Sequence, residues 1–163
     1  MKRIPILFLA GLFLFSACEQ KRKAPRTQVN FLMRLKRAQD TAKVFTHQEA
    51  IRTRIVTNMS KYLRDSALSF TDWTFKVTGT SPSQVNLQST DIGDTTASNV
   101  KFAMLLSQAD AKIKEKVASL KTDEVIKVSG EMNMKTPDGK ISMTSYFNPD
   151  SAQVIKFIPK AIK

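Results

Sequence analysis

The chain of 163 residues carries 26 Lys/Arg against 14 Asp/Glu, a formal net charge of +12 with an isoelectric point near 10.0, and 42% of its residues are hydrophobic. One cysteine excludes an internal disulfide and a cysteine-built zinc site, and the one histidine, His47, has no Cys or second His with which to hold a metal. Five glycines, no Gly-rich phosphate loop and no G-x-S-x-G elbow give no motif for nucleotide or ester chemistry, so neither catalysis nor a cofactor is expected.

At the start of the chain, Met1-Lys2-Arg3 is basic. Ile4 to Phe15 is an apolar run interrupted only by Pro5 and Gly11, and Ser16-Ala17 precede Cys18. This is the layout of a secretory signal peptide. About 12 apolar residues fall short of the roughly 20 that a membrane-spanning helix needs. Phe15-Ser16-Ala17-Cys18 resembles the lipobox of bacterial lipoproteins, although leucine is commoner than phenylalanine at its first position. The resemblance implies a diacylglyceryl group on the Cys18 thiol, cleavage just before it and acylation of the new amine. An ordinary signal peptide with an incidental cysteine is the alternative. One acyl chain holds a protein only marginally, whereas the two or three chains of a lipoprotein suffice. In enteric-type lipoproteins Asp after the cysteine favours inner-membrane retention. Glu19 therefore favours the outer membrane, facing the periplasm, in a cell that has one.

The charge is uneven. Residues 21–64 hold twelve Lys/Arg against Asp40 and Glu49, whereas residues 65–163 hold twelve against eleven. The basicity thus belongs to the segment next to the expected anchor. Lys21, Arg22, Lys23 and Arg26 lie within eight residues of Cys18, and Pro25 is expected to keep this piece from being helical. Such a cluster can contact an anionic membrane surface at about 1 kcal/mol per residue, fading over a Debye length of roughly 8 Å. A basic linker with no surface role is the plainer reading.

Residues 28–66 lack Gly and Pro and are rich in helix formers. Apolar residues recur at helical spacing through Phe31, Leu32, Leu35, Ala38, Ala42 and Phe45, then Ile51, Ile55, Met59, Tyr62 and Leu63. The pattern lapses at Thr46-His47-Gln48-Glu49, so either one helix with a weak point or two helices are expected. A continuous helix of this length would reach about 58 Å. Its apolar stripe must be covered by the protein's own domain, by partner helices or a second copy, or by a membrane surface. His47 reads as a surface residue.

From residue 70 the period changes to two. Trp73, Phe75 and Val77 alternate with Asp72, Thr74, Lys76 and Thr78. Val85 and Leu87 alternate with Asn86 and Gln88. Val100, Phe102, Met104 and Leu106 form a third set. Asp91-Ile92-Gly93-Asp94 reads as a turn, not a calcium loop. Ala109, Ile113, Val117 and Leu120 line a helical face. Ile126, Val128, Gly130, Met132 and Met134 alternate again, Thr136-Pro137-Asp138-Gly139 is a strong turn signal, and Ile141, Met143 and Phe147 suggest a fifth strand, with a sixth at Val154–Ile158. Three strands, a helix and two strands are the order of the OB-fold, a five-stranded Greek-key barrel.

The segments Trp73-Thr74-Phe75-Lys76-Val77-Thr78-Gly79, Val85-Asn86-Leu87 and Leu120 to Gly130 resemble bacterial envelope OB-fold proteins of the anticodon-binding-like group. Thr122-Asp123 stands where that family usually has Gly-Asp. The resemblance covers about 95 residues and implies fold more than activity. The expected class is α+β, mostly β: a small five-stranded OB-like barrel with a helix between strands three and four, preceded by a long helical stem. The expected division is 1–17 signal peptide, 18–27 lipid-anchored basic linker, 28–66 stem and 67–163 barrel domain.

Single-strand nucleic-acid binding needs a basic groove and stacking aromatics. The expected outward positions of strands one to three are Asp72, Thr74, Lys76, Thr78, Asn86, Gln88, Lys101 and Ala103, none aromatic. The domain's aromatics fall on the inward parity, apart from Tyr146 and, at the edge of the pattern, Phe70. Nucleic acid is therefore disfavoured. The expected function is a lipid-anchored envelope module that binds a protein, a glycan or a small ligand. A structural or assembly role through the stem, including self-association, is the alternative.

Overall fold

The computed structural model describes residues 24–90, 100–148 and 153–163. The lipobox-like segment with Cys18, Glu19, the cations Lys21, Arg22 and Lys23, and the turn expected at Asp91–Asp94 lie outside the described residues. Helix α1 (Arg26–Val44) starts directly after Pro25, whose fixed φ of −56° suits the position preceding a first turn. Arg26 was expected outside any helix; it is the first helical residue, because Pro25 precedes the helix and does not interrupt it. The chain leaves the helix at Phe45, and α2 (Glu49–Tyr62) begins after Gln48. A π-helical turn, Leu63–Ala67, leads into the sheet.

The sheet contains β1 (Ser69–Thr80), β2 (Gln84–Ser89), β3 (Lys101–Leu105), β4 (Val125–Met132) and β5 (Val154–Ile162), with α3 (Ala111–Ala118) between β3 and β4 and a short α4 (Thr144–Phe147) before β5. The strands close into a barrel in the order β1-β2-β3-β5-β4. All neighbours are antiparallel except β3 and β5, which pair in parallel with Phe102 beside Ile155 and Met104 beside Phe157. This is an OB-like arrangement. Asp110 caps α3 by accepting the Ile113 N–H at 2.8 Å, and Ile113 and Val117 are buried.

The barrel core is aromatic. Phe70 and Trp73 have ring centroids 4.6 Å apart, Phe75 and Phe102 5.0 Å, and Phe70 and Phe157 5.1 Å. Trp73, Phe75, Val77, Val100, Phe102, Ile126 and Val128 share one buried cluster. Gly130 allows β4 to run close to β5: a Cβ there would lie 2.6 Å from the Ile158 carbonyl oxygen.

Several local expectations are corrected. Ile141–Phe147 is not a strand. One isolated bridge joins Lys135 to Ile141, after which the chain turns into α4 and buries Met143 and Tyr146 at a spacing of three, not two. The segment expected as a possible sixth strand is β5 itself. Phe70, expected off the inward parity, is buried because a register shift between Phe70 and Trp73 resets the alternation, with Asp72 held at φ +53°. Tyr146 is likewise buried. Thr74 and Ala103, expected to be wet, are buried: Ala103 lies between its ladder partners Asn86 and Lys156, and Thr74 lies beneath α1.

The contact over Thr74 joins helix to barrel. The first ladder pair between β1 and β2 is Phe75 with Ser89, so Thr74 stands just beyond it. Gln28, fully buried on α1, takes the place of a neighbouring strand. Its Nε2 donates to the Thr74 carbonyl at 2.7 Å, and its Oε1 accepts the Thr74 N–H at 2.8 Å. Phe31, Leu32 and Leu35 are buried on the same helix, and Phe31 packs on Trp73 with ring centroids 5.3 Å apart. Trp73 Nε1 donates to Thr27 Oγ1 at 3.2 Å.

At the far end of the chain, Lys163 donates to the Asp72 carboxylate at 2.7 Å, and Ser129 Oγ lies within 3.3 Å of its other oxygen. The Lys163 hydrogen bond is the largest of the causes that hold the Asp72 carboxyl below the usual aspartate range. The ionised form is favoured in the fold, so this contribution is complete above the unfolded aspartate value, about 3.9, and is lost as pH falls below it. Asp72→Asn keeps a residue that tolerates φ > 0. It should flatten the fall of the urea midpoint below about pH 4, and an unchanged acid slope would remove the clamp from the account.

Two substitutions at the helix–barrel contact should act in opposite ways. Gln28→Leu leaves two buried backbone groups without partners and should cost about 2–4 kcal/mol. Thr74 Oγ1 is buried without a partner among the described residues, so Thr74→Val should leave stability unchanged or raise it. Urea unfolding measures both, with Asn30→Leu on the exposed side of α1 as reference. A Gln28→Leu midpoint equal to that reference would refute the bridging role.

Candidate functional site

Helix α2 forms one wall of an open cleft of about 930 Å³. Arg52, Val56 and Ser60 recur every four residues, as do Thr53, Thr57 and Lys61, so two adjacent rows of one helix face line it. The opposite wall is the chain after β4. There Thr136–Lys140 folds into a tight turn. Thr136 N–H donates to the Lys140 carbonyl at 2.9 Å, and Gly139, at φ +80°, makes the left-handed step that a side chain would strain. The Thr136 hydroxyl bonds the Asp138 carboxylate, and Lys140 pairs with it at 3.0 Å. The Thr136 and Lys140 hydrogen bonds hold the Asp138 carboxyl below its usual value.

One hydroxyl staples the two walls across 83 residues of sequence: Ser60 Oγ donates to Val56 O at 2.7 Å and accepts the Met143 N–H at 2.9 Å. Behind Met143, α4 buries Tyr146 against α1, where the phenol oxygen accepts from Gln39 Nε2 at 2.9 Å. Phe147 stays half-buried in the cleft. A smaller cavity of about 160 Å³, lined by Gln39, Ala42, Lys43 and Gln153, shares Thr46, Arg52 and Phe147 with the cleft. Arg52 thus stands where the two spaces meet.

The charges of the cleft are not all matched. Arg64 pairs with Asp65 and Lys140 with Asp138, each at 3.0 Å. Arg52, half-buried, and Lys61 have no carboxylate partner among the described residues. The hydroxyls differ similarly: those of Thr136, Ser142, Thr144 and Ser60 are engaged with one another or with backbone, whereas Thr46, Thr53 and Thr57 make no side-chain hydrogen bond among the described residues. The site can therefore offer a guanidinium, an ammonium, free hydroxyls and one aromatic face to a ligand. Among the described residues no group of three His, Cys, Asp or Glu could hold a metal ion, and no helix is long and apolar enough to cross a membrane.

Of the residues singled out from sequence, Arg26 is exposed at the start of α1 and takes no part in the cleft. His47, to which no role was attached, lies in the α1–α2 connection and lines it. Arg52, Lys61 and Phe147 were not singled out. The signal available for the first two was a polar face of α2 beside the apolar stripe, and nothing local marks which segment that face meets. Comparison with protein-family models, curated proteins and solved structures found no match to the chain.

Burial raises the Tyr146 phenol well above its usual value. The neutral form is favoured in the fold, so this contribution is complete below the unfolded tyrosine value, about 10, and is lost as pH rises beyond it. Tyr146→Phe should remove that alkaline loss while weakening the wall at neutral pH by about 1 kcal/mol through the lost Gln39 bond. Urea midpoints from neutral to alkaline pH test this, and an alkaline slope identical in the variant would contradict it.

Proposed function

We propose that the protein is a lipid-anchored lipoprotein of the bacterial cell envelope, held by Cys18, that works as a non-catalytic binding module through the cleft beside α2. The anchor rests on the lipobox-like Phe15-Ser16-Ala17-Cys18 after a basic start and an apolar run. The single observation that carries the binding role is the half-buried Arg52, without a carboxylate partner among the described residues, in a cleft of ligand size. Cavities of about 300–1,000 Å³ with a few directed polar groups are typical of small-ligand sites. The basic segment Lys21, Arg22, Lys23 and Arg26 adds attraction to anionic headgroups beside the anchor. Glu19 after the cysteine favours an outer-membrane position facing the periplasm.

Binding is preferred to assembly through the stem because Phe31, Leu32 and Leu35 of the α1 apolar stripe are already fully buried, with Phe31 against Trp73 of the barrel and Tyr62 of α2. It is preferred to nucleic-acid binding because the exposed positions of β1 to β3 include Thr78, Asn86 and Lys101 and no aromatic residue.

Cys18→Ala tests the anchor. The wild-type chain should incorporate labelled fatty acid, shift to its processed size and partition with membranes. The variant should be unlabelled, and either unprocessed or soluble. Equal membrane partition and equal size for the two proteins would refute lipidation.

A further inference from the structure

The geometry points to an acidic saccharide as the ligand of the α2 cleft: a sugar unit bearing a carboxylate or phosphate, with the anion seated on Arg52. This deepens the binding-module reading and rests on it. The anion is required by charge. Arg52 is half-buried where the cleft meets the smaller cavity, and no acid faces it within ion-pair distance among the described residues. A guanidinium held partly out of water gains most from a planar or tetrahedral oxyanion that accepts two parallel N–H bonds. Lys61, about two and a half turns further along α2 and also without a carboxylate partner among the described residues, supplies a second positive charge.

The saccharide is required by everything around the cation. A space of about 930 Å³ is far larger than an inorganic anion needs. Thr53 and Thr57 stand one turn apart on the same wall with hydroxyls that make no hydrogen bond among the described residues, matched to a ligand that itself carries hydroxyls. Phe147 offers a half-buried ring to the apolar face of a sugar. A purely apolar ligand would leave these groups unpaired, and an inorganic anion would touch only the cations. Glu49 and Asp138, the cleft's two acids among the described residues, oppose a polyanion threaded along its whole length.

Equilibrium dialysis of the full chain in mild detergent tests this, with radiolabelled glucose 6-phosphate and glucuronate as probes and glucose and inorganic phosphate as references. At least one acidic sugar should bind saturably and about tenfold or more tighter than both references. Arg52→Gln should weaken that binding about tenfold, with its thermal midpoint near wild type, and Arg52→Lys should fall between them because the charge remains without the fork. Lys112→Gln on exposed α3 should change nothing. Inorganic phosphate bound as tightly as the sugars, glucose bound as tightly, or binding indifferent to both Arg52 variants would each overturn the proposal. Fatty-acid labelling of Cys18 is read on the same protein. Labelled protein without sugar binding overturns the ligand class alone, and sugar binding by unlabelled protein overturns the anchor alone.

Discussion

The fold depends on one substitution of side chain for backbone. β1 is 12 residues long and pairs with β4 along one edge, but its pairing with β2 starts only at Phe75. Beyond that point the N–H and C=O of Thr74 would be buried without partners, at about 1–3 kcal/mol each. The primary amide of Gln28 has one acceptor and a donor pair in the geometry of a peptide group, and it satisfies both. It can do so only while α1 lies across β1, and α1 lies there because Phe31, Leu32 and Leu35 are buried with it. Helix and barrel are therefore one folding unit: the helix supplies the missing ladder bonds, and the barrel covers the helix's apolar stripe.

That constraint also places the cleft. With α1 fixed, α2 returns beside the barrel after the break at Phe45–Gln48, and Met59 and Leu63 are buried there. The neighbouring face of α2 is then left beside the segment after β4, which Ser60 and Met143 tie to it. Arg34 lies over the Tyr62 ring at 4.5 Å, Lys36 pairs with Asp40, and Arg64, in the turn after α2, pairs with Asp65. Arg26, Arg37, Lys43, Arg52, Arg54 and Lys61 have no carboxylate partner among the described residues, and of these six Arg52 and Lys61 line the cleft. The high isoelectric point thus conceals a small number of cations whose positions matter.

The strand cores were legible in the sequence because alternation of Trp73, Phe75 and Val77, or of Ile126, Val128 and Gly130, directly records which face is buried. The break at Thr46–Glu49 was legible because apolar spacing stops there. Phe70 was misread because a bulge changes parity without changing composition, and Asp72 gives no local warning that it will adopt φ > 0. The segment around Ile141–Phe147 was misread because apolar residues at 141, 143 and 147 fit a strand, while the Ser142–Thr144 hydroxyls and the buried Tyr146 make a helical turn. Gln28 was invisible: a glutamine on a helix reads as surface until its partner, 46 residues away, is known. The cleft was invisible for the same reason, being made by two segments 83 residues apart. Of the candidate residues near the proposed anchor only Arg26 lies among those described, and it stands apart from the cleft.

Native-state hydrogen exchange on the full chain, followed at the Thr74 amide, at α1 amides from Leu32 to Lys36 and at amides of β3, tests the unity of helix and barrel most directly. Cooperative units open together, with a common free energy and denaturant dependence. Thr74 and α1 should exchange only through the opening that exposes β3. Exchange of α1 and Thr74 through a separate opening of lower energy, while β3 stays protected, would contradict it.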